Sequence, residues 1–77
     1  MNKERRYRIN NMVLILEECV NALAEIAEEE EQVYENMGEH FSGTERFQRV
    51  EETYETLTEA QDVLDNLVNL LSDAVAI

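Results

Sequence analysis

The chain has 77 residues, a net charge of −12 and one cysteine. It is long enough for a single domain, cannot form an internal disulfide, and at 44% apolar residues is too hydrophobic for a disordered acidic tail. The negative charge disfavours general binding to nucleic acid or to an anionic membrane. No apolar run approaches the roughly 18 residues of a membrane span, and no signal-peptide core follows the N-terminus. We therefore expect an intracellular, cytoplasmic protein.

Residues 1–8 form a basic N-terminal segment. They hold four of the six basic side chains and one acid, a net charge of +3 that leaves −15 on residues 9–77. Cations are unfavourable at a helix N-terminus, where the helix dipole is positive. Two interpretations stay open: the segment is an exposed first helical turn, or its cations bind acidic residues of a neighbour or an anionic ligand.

From Ile9 onward, apolar residues recur at alternating intervals of three and four, with one break at Glu30. This spacing predicts a helix over residues 3–37, and the width of its apolar stripe indicates more than one partner helix. Cys19 lies on the stripe, so we expect a buried, unreactive thiol. The predicted stripe is Ile9, Met12, Leu16, Cys19, Leu23, Ile26, Val33 and Met37, flanked by Val13, Val20, Ala27 and Tyr34.

Both glycines lie in the stretch between the two periodic segments, which predicts a loop over residues 38–42 and a second helix over 43–75. Ser42 and Glu45 fit a capping box, and Thr44 is a rival N-cap. Gln61 is the one polar member of the second stripe, a position where a single amide commonly fixes register. The second core stripe is Phe47, Val50, Tyr54, Leu57, Gln61, Leu64, Val68, Leu71 and Val75, and a further late stripe is Ala60, Val63, Leu67, Leu70, Ala74 and Ile77.

These patterns predict an all-α fold, in which residues 1–77 form one long antiparallel helical hairpin. Folding back places the start of the first helix beside the end of the second, where both helices carry extra apolar residues. Because one protomer would expose a large apolar patch there, we expect a homo-oligomeric helix bundle, a dimer or higher. The predicted oligomer interface is Leu14, Ile15, Val63, Leu67 and Leu70.

The sequence offers little catalytic chemistry. His40 is the only histidine, and Met37 stands where a helix-borne di-iron site would need glutamate. Glu30 and Tyr54 lie at comparable distances from the turn, and we interpret them as a structural polar contact. No phosphate-cradling glycine loop and no nucleophile–base set is present. We therefore predict a protein that is not an enzyme, with no cofactor and no metal site.

Arg46 and Arg49 are the only basic residues outside the N-terminal segment. They lie in the first turns of the second predicted helix, where unpaired N–H groups favour phosphate or carboxylate. Alternatively, they pair with Glu45, Glu51 or Glu52 on their own helix. An antiparallel assembly of hairpins would bring them to the N-terminal segment of another copy. The expected ligand-binding residues are Arg5, Arg6, Tyr7, Arg8, Thr44, Arg46 and Arg49.

The loop region resembles that of small acidic helical-hairpin proteins encoded by bacterial phages and prophages. Those proteins carry a Glu-rich run, then Asn-Leu-Pro-Glu, a short spacer and Ser-Glu-Arg. Gly38 replaces their usual proline and Thr44 their usual serine, while the eleven-position length from Asn36 to Arg46 is the same. The resemblance implies a phage setting and, through it, the host cell cytoplasm; it implies no activity. The matching residues are Glu29, Glu30, Glu31, Asn36, Met37, Glu39, Thr44, Glu45 and Arg46.

Three functions remain open for such a protein. The first is an anti-defence binding protein that sequesters a small nucleotide immune signal between protomers, which requires arginines, an aromatic residue and oligomerisation. The second is an acidic inhibitor or DNA mimic that binds a host defence protein. The third is a structural or assembly protein, for which the hairpin suffices. The acidic surface expected for the second is Glu28 to Glu31 with Glu35, Glu51, Glu52 and Glu55.

Overall fold

A computed structural model describes residues 1–37 and 43–77. The chain forms two long helices, α1 (Lys3–Asn36) and α2 (Glu45–Ala76), of 34 and 32 residues. They pack against each other along most of their length in opposite directions, and the described ranges hold no strand. The predicted all-α hairpin is confirmed. The predicted loop at 38–42, with His40 and Ser42, lies outside the described residues.

Each helix begins at a polar cap. The Oδ1 of Asn2 accepts a hydrogen bond from the backbone N–H of Arg5 at 2.8 Å, and the Oγ1 of Thr44 accepts one from the N–H of Phe47 at 3.1 Å. These bonds satisfy N–H groups that have no partner within the helix. The predicted start of the second helix at residue 43 is two residues early, because Gly43 has a φ of +83° and Thr44 is extended.

The contact between the helices, which we call the inner seam, follows a heptad repeat labelled a to g, with a and d facing the other helix. Every residue at these positions from Ile9 onward is buried or half-buried. The second stripe is thus as predicted. In α1 the seam is Ile9, Val13, Leu16, Val20, Leu23, Ala27, Glu30, Tyr34 and Met37; in α2 it is Phe47, Val50, Tyr54, Leu57, Gln61, Leu64, Val68, Leu71 and Val75.

The predicted core stripe of α1 is wrong in half of its members. Met12, Ile26 and Val33 are 51%, 47% and 42% exposed, and Cys19 is exposed rather than buried. These four residues occupy the g positions. The residues predicted as a flank, one position later along the chain, occupy the a positions in the seam, where Tyr34 contacts aromatic rings of α2.

The aromatic contacts show the register of the hairpin. The ring of Tyr34 lies between two rings of α2, with centroids 5.1 Å from Phe47 and 6.4 Å from Tyr54. Tyr34 is therefore level with about Val50, so residues at one level have numbers that add to about 84. Each a position of one helix thus faces a d position of the other, which places Glu30 level with Tyr54.

This register staggers the two helices. The end of α2 at Ile77 is level with about residue 7 of α1, so residues 3–6 extend beyond it. At the other end, α2 begins about three residues beyond the end of α1, roughly 5 Å at 1.5 Å per residue. Added to the ~50 Å length of α1 and to residues 1–2 before it, this agrees with the 58 Å long axis of the molecule.

The seam buries little. Among the described residues only Val13, Ala27 and Met37 are less than 9% exposed, and no large side chain is fully buried. Eleven large apolar side chains are instead exposed. A single pair of helices has only one shared surface, so the hairpin alone leaves most of its apolar area in water.

The flanks of the seam make the two sides of the hairpin different. In an antiparallel pair, the e positions of both helices lie on one side and the g positions on the other. Glu17 and Asp65, both at e, line one groove, and Glu31 and Thr58, also at e, line a second. We call this side the acidic face; it carries, at b and e positions, Glu17, Glu28, Glu31, Glu35, Glu51, Glu55, Asp62 and Asp65. We call the opposite side, formed by the c and g positions, the outer face.

Candidate functional site

The outer face collects the exposed apolar residues of the protein. Residues 1–37 and 43–77 include eleven large apolar side chains that are exposed; eight of these lie at c or g positions, and the other three are Met1, Tyr7 and Leu14. On α1 the outer face is Arg5, Arg8, Met12, Ile15, Cys19, Ala22, Ile26, Glu29, Val33 and Asn36; on α2 it is Arg46, Arg49, Thr53, Thr56, Ala60, Val63, Leu67, Leu70, Ala74 and Ile77. All of them are exposed except Ala74, which is half-buried.

The charges of the outer face differ from those of the rest of the chain. Within the described ranges, Glu29 is its one acidic residue, although the sequence has 18 acids. Four of the six basic side chains lie on it, giving a net charge of +3 on a chain of −12. The arginines occupy the two ends of the face, Arg5 and Arg8 at the start of α1 and Arg46 and Arg49 at the start of α2. The middle is apolar.

The N-terminal end of the outer face is a shallow hollow on α1. Arg5 and Arg8 line it together with Met1, Ile9 and Met12. The residues that line it all belong to the N-terminal end of the chain, and none comes from α2. It combines two guanidinium groups with an apolar floor.

Two predicted ligand residues of the N-terminal segment lie elsewhere. Arg6 occupies an a position, and its Nε donates a hydrogen bond to the carbonyl oxygen of Met1 at 3.1 Å. Tyr7 is 67% exposed at a b position, on the side of the acidic face. The structure therefore brings together Arg5 and Arg8 but does not add an aromatic surface beside them.

The other end of the outer face lies at the start of α2. Arg49 lines a groove with Glu52, Thr53, Thr56 and Leu57. An Nη of Arg49 also lies 3.6 Å from a carboxylate oxygen of Glu45, with both side chains at least 70% exposed. This is the pairing within the helix that the sequence allowed. Ion pairs this exposed contribute little to stability, so Arg49 stays able to exchange its partner.

Arg46 and Thr44 complete the basic site of α2. Arg46 is exposed at a g position, while Thr44 caps the helix through its Oγ1. Thr44 therefore has a structural role that the rival-cap prediction anticipated. Arg46 and the N-terminal arginines lie near opposite ends of the 58 Å axis, so one protomer cannot hold a compact ligand with both groups.

The predicted oligomer interface maps mainly onto the outer face. Ile15, Val63, Leu67 and Leu70 lie there, with exposures of 60%, 63%, 41% and 57%. Leu14 is also 60% exposed, but it occupies a b position on the other side of α1. The prediction that these residues bind another copy remains a prediction, and its geometry now favours the first four.

Other sequence-based candidates show no catalytic arrangement. Glu30 is half-buried at a d position level with Tyr54, and the ring of Tyr54 stacks on Tyr34. The polar contact between Glu30 and Tyr54 stays a prediction. The run from Glu28 to Glu31 winds through positions b, c, d and e, so only part of it lies on the acidic face. Across residues 1–37 and 43–77, no cluster of histidine, cysteine and carboxylate side chains is arranged to hold a metal ion.

Comparisons with protein-family models, curated proteins and solved structures give no match to this chain. Neither described helix contains an apolar segment long enough to cross a membrane. The site must therefore be interpreted from its own residues. The signal that the sequence did contain, and that periodicity alone did not isolate, is the shared heptad position of the arginines: Arg5 and Arg46 at g, Arg8 and Arg49 at c.

Proposed function

We propose that the protein is a homo-oligomeric binding protein of a phage, which counters host defence by sequestering a small nucleotide signal between its protomers. The phage setting rests on the resemblance of the loop region. The observation that supports a ligand of this class is the grouping of four arginines on the outer face of an otherwise acidic hairpin. The pairs lie at the starts of the two helices, where anions are favoured.

Arginine suits a phosphate because its guanidinium can donate two parallel N–H bonds to the phosphate oxygens. The surrounding acids repel extended polyanions, so the ligand must be compact and make strong local contacts. Apolar groups beside the arginines, such as Met12 at one end and Leu57 at the other, offer a surface for a nucleoside. A mononucleotide or a cyclic dinucleotide matches this combination of phosphate and flat apolar rings.

Titration calorimetry with a panel of cyclic and linear nucleotides tests the proposal. We expect one class to bind, and Arg5→Ala and Arg46→Ala each to weaken that binding by about tenfold or more, because a hydrogen bond to a charged group contributes about 1.5–3 kcal/mol. Lys3→Ala is the matched control, since it removes the same charge from the same segment at an e position off the outer face. Circular dichroism should show the same helical signal for all variants. If no nucleotide binds, or if Lys3→Ala weakens binding as much as Arg5→Ala, the proposal is wrong.

A second candidate is an acidic inhibitor or DNA mimic that binds a host defence protein. It is favoured by the acidic face, where carboxylates from both helices border the same grooves, as Glu17 and Asp65 do. Native mass spectrometry of the protein from phage-infected cells separates the candidates. A bound nucleotide supports sequestration, a host protein whose binding is lost in Glu31→Gln and Glu55→Gln supports inhibition, and a virion component supports the third candidate, a structural or assembly role.

A further inference from the structure

We infer that the outer face binds the outer face of a second copy running in the opposite direction, with the two-fold axis passing through the layer of Cys19 and Asp65. This deepens the proposed function, because it names the partner and locates the site between protomers. It rests on that function only for the ligand, since the pairing of the copies can be measured without one.

The middle of the outer face has the composition of a buried surface. From Met12 to Ile26 on α1 and from Ala60 to Ile77 on α2, every c and g position is apolar. The stretch bounded by Arg5 and Val33 is about 42 Å long, and the hairpin is 15 Å wide. The projected area is therefore about 600 Å², which side-chain relief raises toward the ~800 Å² per partner of a standard interface. A second hairpin laid on this face completes a four-helix bundle.

On both helices, the apolar residues of this face meet apolar residues of the second copy when the two copies share one two-fold axis. On α1, an antiparallel copy centred at Cys19 places Met12 opposite the second copy's Ile26 and Ile15 opposite its Ala22. In the seam register, Cys19 is level with about Asp65 of the same hairpin. Centring α2 at that level therefore adds no free choice, and it again gives apolar layers: Ala60 opposite Leu70, and Val63 opposite Leu67.

Charge selects this antiparallel arrangement. Among the described residues, Glu29 is the one acid of the outer face. Its distance from Cys19 along the chain equals that of Arg8 on the other side to within one residue. In the antiparallel dimer each Glu29 therefore faces the Arg8 of the other copy. The basic N-terminal segment also comes beside the acid-rich end of its partner. The alternative stack places the two copies face to face with their loop ends at the same end of the bundle, and it gives similar apolar layers. However, it places Glu29 opposite Thr56 and brings the two acid-rich ends of the bundle side by side, where like charges repel.

The same arrangement joins the two basic sites. Because the helices are staggered, the C-terminal end of α2 in one copy does not reach the level at which α2 of the other copy begins. This leaves a gap at each end of the bundle. The hollow lined by Arg5 and Arg8 on one copy is then level with the groove lined by Arg49, Thr53 and Thr56 on the other. Each dimer would thus hold two equivalent composite sites, each with arginines from both protomers, for a compact phosphate-bearing ligand.

Oxidation of the native cysteine tests the position of the axis. A disulfide requires Cα atoms no more than about 7 Å apart. The antiparallel dimer satisfies this at Cys19, whereas the alternative stack places each Cys19 against α2 of the other copy and does not. Diamide accepts two electrons and two protons from the two thiols and is reduced to the hydrazine. We expect complete conversion to a disulfide-linked dimer on a non-reducing gel at micromolar protein. The control Cys19→Ser with Ser72→Cys carries its thiol at an e position on the acidic face and should stay monomeric on the gel.

A charge exchange tests the pairing independently. Arg8→Glu and Glu29→Arg should each shift the dimer toward monomer in sedimentation, since each places like charges opposite one another. The double variant Arg8→Glu with Glu29→Arg should restore the dimer, as expected of a direct pair. A dimer that forms neither the Cys19 disulfide nor a rescued double variant would overturn the antiparallel axis. A monomer at micromolar concentration would overturn the interface altogether.

These outcomes are separate from those of the proposed function. A cross-linked, charge-rescued dimer that binds no nucleotide would retain the interface and refute the ligand. Nucleotide binding by a protein that fails both tests would retain the ligand and refute the axis. Inorganic pyrophosphate is a useful first probe of the composite site, because it presents the phosphates without a base.

Discussion

Thr44 shows how single side chains fix the ends of the helices. Its backbone is extended and its Oγ1 accepts a hydrogen bond from the N–H of Phe47, so α2 begins at the next residue, Glu45. Gly43 before it has a positive φ, which lies outside the helical range. The sequence identified Thr44 as a rival cap, but it could not choose between Thr44 and Ser42. The choice depends on the backbone angle at Gly43, which periodicity does not report.

Thr44→Ala should lower the free energy of unfolding by about 1 kcal/mol, because it removes the acceptor for the N–H of Phe47. Thr58→Ala is the matched control. The hydroxyl of Thr58 donates to the carbonyl oxygen of Tyr54 within α2, a bond that competes with the helix and stabilises it little. Thr58→Ala should therefore be neutral or slightly stabilising. Urea unfolding followed by circular dichroism measures both, and equal losses for the two variants would contradict the capping role.

At the scale of the helices, the sequence predicted two elements and their packing but placed one side of α1 wrongly. The d positions of α1 include Leu16 and Leu23. The g position between them, Cys19, divides this interval into three and four residues, and the a position, Val20, divides it into four and three. A 3-4 alternation therefore fits a stripe of d and a positions and a stripe of d and g positions equally well. In α1 both rows are apolar, so Met12 and Val13 compete for the seam. The partner decides: Tyr34 at a finds the rings of α2, which a residue at g does not face.

The same ambiguity explains why the candidate site was only partly predictable. The arginines were recognisable as rare cations in an acidic chain. Their common face was not, because it depends on which rows of α1 enter the seam. Once Val13 and Val20 occupy the a positions, the g row turns outward, and Arg5 and Arg46 come to the same side of the hairpin. They stay far apart within one protomer because the helices run in opposite directions and each arginine lies at the start of its helix.

Two identical substitutions half a helical turn apart, Leu16→Ala and Leu14→Ala, test which side of α1 lies in the inner seam. Leu16 is half-buried at d, and its truncation should lower the free energy of unfolding by about 1–2 kcal/mol, less than for a fully buried leucine. Leu14 is 60% exposed at b, and its truncation should change the free energy by no more than about 0.5 kcal/mol. Thermal unfolding by circular dichroism gives both values, and a larger loss for Leu14→Ala would contradict the seam.

On the scale of the whole molecule, the small amount of buried apolar surface and the distribution of charge both favour association with a second copy. Three buried residues provide little of the apolar burial that must offset the conformational entropy of 77 residues. The two polar members of the seam, Glu30 and Gln61, reduce that burial further. Among the described residues, every acid except Glu29 lies away from the outer face, where a second copy can approach without strong repulsion. Folding and assembly are thus expected to be coupled.

Coupled folding and assembly predicts a thermal midpoint that rises with protein concentration, because association stabilises only the folded chain. For a dimer of this size, an unfolding enthalpy of about 0.7 kcal/mol per residue corresponds to a rise of about 5 °C per tenfold increase in concentration. Leu67→Asp should abolish this dependence and lower the midpoint, since it places an unpaired charge from each copy in the apolar interface close to the two-fold axis. Ser72→Asp adds the same charge on the acidic face and should leave the dependence in place. Circular dichroism melts across a hundredfold range of concentration measure the effect, and a midpoint that stays constant for the native chain would show that the hairpin folds without its partner.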